Sequence, residues 1–465
     1  MEVTDNTNPK GPRILSRRDF LLAAAAATGT GIVMANTTGT QVEASATSGP
    51  LIKDGNDKAE TVNVAIIGLG AQGLVLLDSM VKIPGLKFLA ICDIWSYSQK
   101  YGSGKLRSYG HNVNVYEDYR EMLDKEKDLH AVVIATPDFM HAEHTIACLE
   151  KGLHVYCEKE MAHSLEEARN MVLTQRKTGK LLQIGHQRRS NPRYLNVVNN
   201  LFGEAKLLGG INHAYAQWNR SKSDDLVGIK KYPMSPETLK KYGYGSEHEF
   251  RNWRWFKKYG GGPIVDLGSH QIDIFSWVFG SNPISVQASG GVDYYKTHEW
   301  YDNVYALFEY KIPTGVGRAS YKVLTTTKHG QFYETFMGDM ASMDISELST
   351  RGNWAWKEEH APDWEEWVKK GWISKPVAAP DPPPSSNAVI DVRVTSAPAK
   401  WPLPVELAKP AHQPHLENFF NAIRDGEKLN CPGEIGYETA VAVLKVNEAV
   451  EAKKTLTFDP KDFIV

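Results

Sequence analysis

Between Val62 and Asp93 the sequence reads VNVAIIGLGAQGLVLLDSMVKIPGLKFLAICD, and this stretch narrows the possible folds more than any other. An apolar run of strand length leads into glycines at 68, 70 and 73, then a helical pattern, then a second apolar run closing on Asp93, twenty residues after Gly73. In such a strand-turn-helix-strand unit the first glycine makes a tight turn. The second lets backbone N–H groups approach a pyrophosphate at a helix N-terminus, and the third lets helix and strand pack closely. The loop Gly68-Leu69-Gly70-Ala71-Gln72-Gly73 is therefore a candidate dinucleotide cradle, with Asp93 and Ile94 at the adenosine ribose. A carboxylate there repels a 2'-phosphate, so NAD is expected rather than NADP.

The rhythm that follows supports a parallel sheet covered on both faces. Strands are expected at Phe88–Cys92, Ala131–Ala135, His154–Cys157 and Leu181–Ile184, with helices between them. Ser164, three residues before Glu167, reads as a capping box opening one of those helices. Beyond Gly185 the runs lengthen: Ala205–Ala216, Ile284–Ala288, Val304–Tyr310 and Gly317–Val323. The fold class expected is α/β, a Rossmann domain over residues 61–185 and a C-terminal α/β domain over 186–465 with an open, mainly antiparallel sheet. Two tryptophan-rich insertions, 218–262 and 342–414, interrupt the second domain, and two helices, His415–Arg424 and Tyr437–Lys453, close the chain.

The formal net charge of −2 over 465 residues offers no basic field for nucleic acid, so a small-molecule partner is expected. Ahead of the first strand lie Lys10, Arg13, Arg17 and Arg18, an apolar Leu/Ala stretch, and Ala44-Ser45-Ala46, a signal-peptidase pattern. Arg17-Arg18-Asp19-Phe20-Leu21 resembles a twin-arginine signal, whose route carries folded proteins. The sequence thus predicts a signal peptide over 1–46, a linker over 47–60, and a periplasmic mature chain with no membrane span. Cys92, Cys148, Cys157 and Cys431 suit a protein folded in the reducing cytoplasm before export, with no disulfide framework.

The runs VVIATPDFMHAEHTIACLEKGLHVYCEKEMAHS, from Val132, and GGGPIVDLGSHQIDIFSW, from Gly260, together with the glycine loop, resemble the Gfo/Idh/MocA oxidoreductases from about Val62 to Phe279. The resemblance implies that Thr136 and Pro137 lie along the cofactor and His141 near its nicotinamide half. It makes Glu158 and Lys159 the start of the family's Glu-Lys-Pro motif, with Lys159 as the catalytic lysine. It makes Asp266 and His270 the Asp-x-x-x-His pair, with His270 as acid/base. Gln187 and Arg188, in HQRRSNPRY, fall where the family has an Asn-Arg-Arg-like run lining the site. Glu160 stands where the family usually has proline, which puts a restrained, sometimes cis, peptide after Lys159 in question; its carboxylate is expected to face solvent.

Chemistry alone leads to the same residues. Oxidising an alcohol sends a hydride to a nicotinamide and the hydroxyl proton to a base. An ammonium at a strand end, Lys159, would polarise the oxygen, and Asp266 one helical turn before His270 would orient the imidazole and stabilise its cation. Arg188, His213, Trp218, Trp253 and Trp255 are candidate substrate contacts. The indoles either pack the insertions onto the sheet or offer a wall for a sugar ring. His186 and His213 show no ligand spacing, and no metal is expected.

The function expected is NAD-dependent oxidation of a sugar or glycoside hydroxyl, with C3 a candidate. The cofactor is expected to be tightly held and recycled within each cycle, because the periplasm supplies no NAD pool. Two alternatives stay open: hydrolysis through transient oxidation and elimination, as in related N-acetylgalactosaminidases that lack the lysine, and a non-catalytic sugar-binding protein. The open sheet of the second domain resembles the face this family uses to pair subunits, which implies a homo-oligomer.

Overall fold

The computed structural model describes residues 60–377 and 398–465. The leader over 1–46, the linker up to residue 59 and the APDPPPSSN run lie outside the described residues.

Six parallel strands form the first sheet: β1 (Val62–Ile67), β2 (Leu86–Cys92), β3 (Asn114–Tyr116), β4 (Ala131–Ile134), β5 (His154–Cys157) and β6 (Leu182–Ile184). Their order is β3-β2-β1-β4-β5-β6. Between them run α1 (Ala71–Met80), α2 (Ser96–Ser108), α3 (Tyr119–Lys125), α4 (Asp138–Glu150) and α5 (Leu165–Thr178). The central strands are continuously apolar and buried, as AVVI of β4 illustrates, because helices cover both faces. The chain leaves β1 towards β2 on one side and comes back for β4 on the other. That reversal opens a crevice at the carboxyl ends of the strands, where ligands of such sheets bind. Local chemistry sets the helix ends. Ser164 Oγ accepts from the Glu167 N–H at 3.3 Å and donates to its carboxylate at 3.0 Å, a cap worth about 1 kcal/mol. Gly179, at φ 65°, ends the same helix in the left-handed turn that glycine favours.

The second sheet has nine strands: β7 (His213–Asn219), β8 (Pro283–Gly291), β9 (Asn303–Ile312), β10 (Gly315–Leu324), β11 (Phe332–Met337), β12 (Ala341–Ile345), β13 (Trp354–Lys357), β14 (Lys400–Pro402) and β15 (Leu456–Thr457). In the order β14-β13-β12-β11-β7-β10-β9-β8-β15, all neighbours are antiparallel except β7 and β10. Alternation along β9 shows the two faces. Val304, Ala306, Phe308 and Tyr310 point into the core, whereas Tyr305 and Leu307 are 50% and 42% exposed. Helix α6 (Gly262–Phe279) covers the inner face, α7 (Gln413–Asp425) packs against α1, and α8 (Gly433–Ala452) bridges α5 and α6.

Three expectations change. Ala205–Asn212 is not strand: the chain forms a wide helical turn over Asn196–Glu204, and Lys206 and Gly209 take positive φ angles of 46° and 67°, which a ladder cannot accommodate. The strand starts only at His213. The described residues of 342–414 do not stand apart from the sheet, because they complete β12 and add β13 and β14 to its edge. Trp218 belongs to β7, so the first insertion begins after Asn219. The tryptophans of the second segment pack on one another: Trp364 is 2% exposed with its ring 5.0 Å from that of Trp401, and Trp367 stacks on Trp372 at 5.3 Å. All four cysteines are buried and free. Among the described residues no helix is long and apolar enough to cross a membrane.

Candidate active site

The glycine loop follows β1 at the crevice. Gly68 has φ 90°, and a Cβ there would lie 2.7 Å from the backbone of Ala135 at the end of β4. A Cβ on Gly73 would lie 2.0 Å from the Gly68 carbonyl oxygen, which is the close helix-strand approach the third glycine permits. Gly70 differs: it caps α1 at φ −66°, and nothing lies within 4 Å of its absent side chain. That open space beside backbone N–H groups at a helix N-terminus fits a pyrophosphate. Asp93 accepts from the Leu69 N–H at 2.6 Å and the Trp95 N–H at 2.8 Å, which fixes its carboxylate beside the loop. Burial pushes its pKa up to about 6 against those two bonds, so it is mainly ionised at neutral pH. The residues present therefore fit NAD: the loop from Gly68 to Gly73 would hold its pyrophosphate, and Asp93 with Ile94 its ribose.

Residues 220–261 fold over this end of the first sheet. Trp95 Nε1 donates to the Tyr232 carbonyl at 2.8 Å, Lys241 pairs with Glu117 at 3.2 Å, and Phe139 N–H donates to the Tyr259 carbonyl at 3.3 Å. A separate apolar cluster joins the two sides. Its buried members are Trp95, Met234, Leu239, Tyr244 and Tyr259, with Ile94 and Phe139 packed against them. The grip falls after β2, β3 and β4, on the adenosine side of the crevice.

Lys159 follows β5 at the same edge. Its Nζ donates to the Asp266 carbonyl at 2.5 Å and to Asp266 Oδ1 at 2.9 Å, so one of its three N–H donors is left for a ligand. Burial alone would raise the Asp266 pKa. The cations of Lys159, Arg254 and Arg220 overcome it and hold the carboxyl well below its usual range. Asp266 therefore does not orient His270, as the one-turn spacing suggests; stronger partners, Lys159 and Arg254 Nε at 3.2 Å, take both its oxygens. His270 is 6% exposed, and its Nδ1 is buried without a hydrogen-bond partner among the described residues. Burial first, then the charges of Lys159 and Arg188, push its pKa well below the usual range and keep the ring neutral. His186 lies edge-on at 6.2 Å from it, with both ring nitrogens unpartnered among the described residues.

The Lys159–Glu160 peptide is cis although residue 160 is not proline. Glu160 does not face solvent: it is wholly buried, its Oε1 accepts from the Met161 N–H at 2.9 Å, and Oε2 has no partner among the described residues. Burial pushes its pKa up to about 8, with a further push from Asp138. An exposed glutamate releases its proton near 4.5, so the folded chain binds more protons between 4.5 and 8 and stability falls as pH rises through that window. Glu160→Gln is expected to raise unfolding free energy at pH 8 by about 4 kcal/mol, with the difference vanishing at pH 4. Denaturant titrations at the two pH values check this.

The other expected residues are placed as follows. His141 sits between two backbone segments: its Nδ1 and Nε2 lie 2.7 Å from the carbonyl oxygens of Glu160 and Thr136, and the neutral ring donates its one N–H to one of them. Thr136 Oγ1 contacts His144 Nδ1 at 3.1 Å, and Pro137 caps α4. Glu158 accepts from Gln72 Nε2 at 3.1 Å, and the same nitrogen lies 2.9 Å from His412 Nε2, so a residue preceding α7 reaches the glycine loop. Gln187 donates to Glu347 at 3.3 Å. Arg188 is wholly buried, paired with Glu334 and with Glu347, and only its Nη2 lacks a partner among the described residues. It charges the site from beneath rather than offering an open guanidinium edge. Trp218 stacks on Phe332 at 4.3 Å and lies 5.6 Å from the His270 ring, a core position. His213 is exposed at the opposite end of β7, about 16 Å along the strand from Trp218, and joins none of these groups. Trp253 backs Arg254, and Trp255 stacks on His298 at 3.9 Å. Among the described residues no group of three or more His, Cys, Asp or Glu is placed to hold a metal ion. Sequence reasoning missed Asp138, Arg220, Arg254 and His412. Of these only Arg254, an arginine between two tryptophans in WRW, carries a local signal.

A doubly wound sheet with a glycine cradle, set beside a second domain whose helix α6 brings Asp266 and His270 to Lys159, defines a two-domain protein of the dinucleotide-binding class. Residues 62–186 match the model of the oxidoreductase family with an NAD-binding Rossmann fold, and residues 238–335 match the Gfo/Idh/MocA C-terminal domain. The chain belongs to the Gfo/Idh/MocA oxidoreductase family. It is 31% identical over 202 residues to an inositol 2-dehydrogenase of Rubrobacter xylanophilus, covering 43% of this chain and 53% of that protein. It is 29% identical over 229 residues to a D-glucoside 3-dehydrogenase of Escherichia coli, covering 47% and 54%. The chain thus spans about half the length of the curated relatives it matches. A levoglucosan dehydrogenase solved with NADH shares the fold at a TM-score of 0.63 and 18% identity, over 86% of this chain and 100% of that one.

Proposed function

We propose that this chain is an exported NAD-dependent oxidoreductase that oxidises a sugar or glycoside hydroxyl, at C3, and keeps its NAD bound through each cycle. The observation that carries the reading is the convergence of Lys159, with one donor left over, and a neutral His270 at the crevice that also holds the glycine loop. Similarity to a glucoside 3-dehydrogenase supports the sugar and the position. The fixed carboxylate of Asp93 supports NAD over NADP.

Bound at the loop, NAD supplies the hydride acceptor. Lys159 holds the substrate hydroxyl oxygen through its remaining N–H and favours its negative form, since the ammonium stays anchored on Asp266. The hydroxyl proton passes to the imidazole of His270, which is neutral and able to take it. His141 and the buried Glu160 position the Lys159 peptide. Presence of Lys159 favours this over hydrolysis by elimination.

The grip of residues 220–261 on the adenosine side supports retention of the cofactor, and the Arg17-Arg18 leader supports export of the folded, loaded chain. A retained cofactor makes the cycle redox-neutral: oxidation of one sugar is balanced by reduction of a second carbonyl compound. The exposed sheet face around Tyr305 and Leu307 supports pairing with a second copy.

Purification of the chain from Thr47 without added nucleotide, followed by denaturation, is expected to release NAD(H) near stoichiometry. Gly70→Ala is expected to release at least about tenfold less at an unchanged melting temperature, because alanine fits that backbone and only the ligand meets the added methyl. An empty wild-type protein with weak NAD affinity would sink the retained-cofactor reading.

A further inference from the structure

Arg254 lies in the turn Trp253–Trp255 of the segment between β7 and α6. Its Nε donates to Asp266 Oδ2 at 3.2 Å, and its guanidinium sits 4.3 Å from the centre of the Trp253 ring. Those contacts fix the guanidinium, while its two terminal nitrogens make no hydrogen bond to protein among the described residues and the side chain is 33% exposed. A guanidinium anchored through Nε with its outer edge open is a two-pronged fork for an oxyanion. The fork stands one carboxylate away from the ammonium of Lys159, which occupies the other oxygen of Asp266.

Charge points the same way. Lys159, Arg254 and Arg220 surround one ionised carboxylate, Asp266. Two further carboxyls that feel these cations add little negative charge in mildly acidic solution: burial pushes Asp138 up to about 7 and Glu160 up to about 8. An anion at the outer edge of Arg254 also gains from the ammonium of Lys159 on the other oxygen of Asp266. The cofactor's pyrophosphate belongs to the glycine loop and does not supply that anion.

We propose that the substrate is an acidic sugar, a hexuronic acid or its glycoside, whose carboxylate is held by the outer edge of Arg254 while its reacting hydroxyl lies at Lys159. The proposal rests on the sugar-oxidoreductase reading above. Arg254 is then the residue that determines specificity, and the insertion that carries it contributes to substrate choice.

The test uses the NAD-loaded enzyme. Binding of D-glucuronate, D-galacturonate and D-mannuronate, their methyl esters and glucose 6-phosphate is followed at pH 6 by tryptophan fluorescence, and turnover by NADH absorbance with the parent neutral sugars included. At least one acid is expected to bind about tenfold or more tightly than its ester. That ratio should fall to near one in Arg254→Gln and recover in part in Arg254→Lys, with NAD content and melting temperature unchanged. Equal binding of acid and ester, tighter binding of the phosphate than of any acid, or a ratio that survives Arg254→Gln overturns the proposal. Turnover of a neutral sugar alongside any of these outcomes leaves the oxidoreductase reading standing. A protein that changes the NADH absorbance with no sugar, acidic or neutral, removes both.

Discussion

Lys159→Ala is expected to lower kcat roughly a thousandfold while NAD content and melting temperature stay at wild-type values. The structure separates those two effects. Asp266 keeps Arg254 Nε at 3.2 Å and the nearby charge of Arg220 when the ammonium is gone, so its carboxylate stays compensated and the fold is not strained by an orphan charge. The cofactor loop makes no hydrogen bond to the Lys159 side chain, whose partners are both on Asp266. What disappears is the one N–H donor aimed at the substrate oxygen. Loss should therefore fall on kcat more than on KM, and single-turnover absorbance at saturating sugar checks it. Activity within tenfold of wild type would remove Lys159 from the chemistry and reopen the reading of the chain as a binding protein.

How much of this is written locally explains what the sequence revealed. The glycine loop, Asp93 and the Ser164 cap depend on contacts within a few residues or one strand-helix-strand unit, and each reads directly from spacing. Asp266 and His270 are a turn apart on α6, yet the partner Asp266 takes comes from 107 residues away, and no local pattern announces it. Glu160 is buried because α4 and α6 bring Asp138 and Asp273 near it, so its hydrophilic character misleads when read in isolation. The tryptophan-rich segment 342–414 reads as an interruption of the domain because β13 and β14 are only four and three residues long and carry too little periodicity to recognise. His412, near the end of that segment, reaches the glycine loop through Gln72. Residues that hold a scaffold were legible; residues whose role is set by tertiary charge and burial were not.

His270→Asn is expected to lower kcat about 100- to 1,000-fold without moving the pH profile of what remains. Burial holds the His270 pKa well below the usual imidazole range, with Lys159 and Arg188 adding to it, so its base form is present across neutral pH and produces no limb near 6.5. Of the site carboxyls raised by burial, Asp93 to about 6 and Glu160 to about 8 among them, the one that titrates at about 7 beside Lys159 and Arg254 is Asp138, pushed up by burial and then by the charge of Asp266. Above that value Asp138 carries a negative charge beside Lys159 and Arg254. The charge offsets the field that stabilises the developing alkoxide, so kcat/KM is expected to fall as pH rises through about 7. Asp138→Asn keeps the neutral form at every pH and should hold the acidic-side rate to higher pH, whereas His270→Asn should retain the limb at a lower rate. Profiles of kcat/KM from pH 5 to 9 for the three proteins decide between the groups. A limb that vanishes with His270→Asn and persists with Asp138→Asn would mean that the imidazole titrates near neutrality after all. The neutral base would then have to be sought in His186, whose ring is also buried and unpartnered among the described residues.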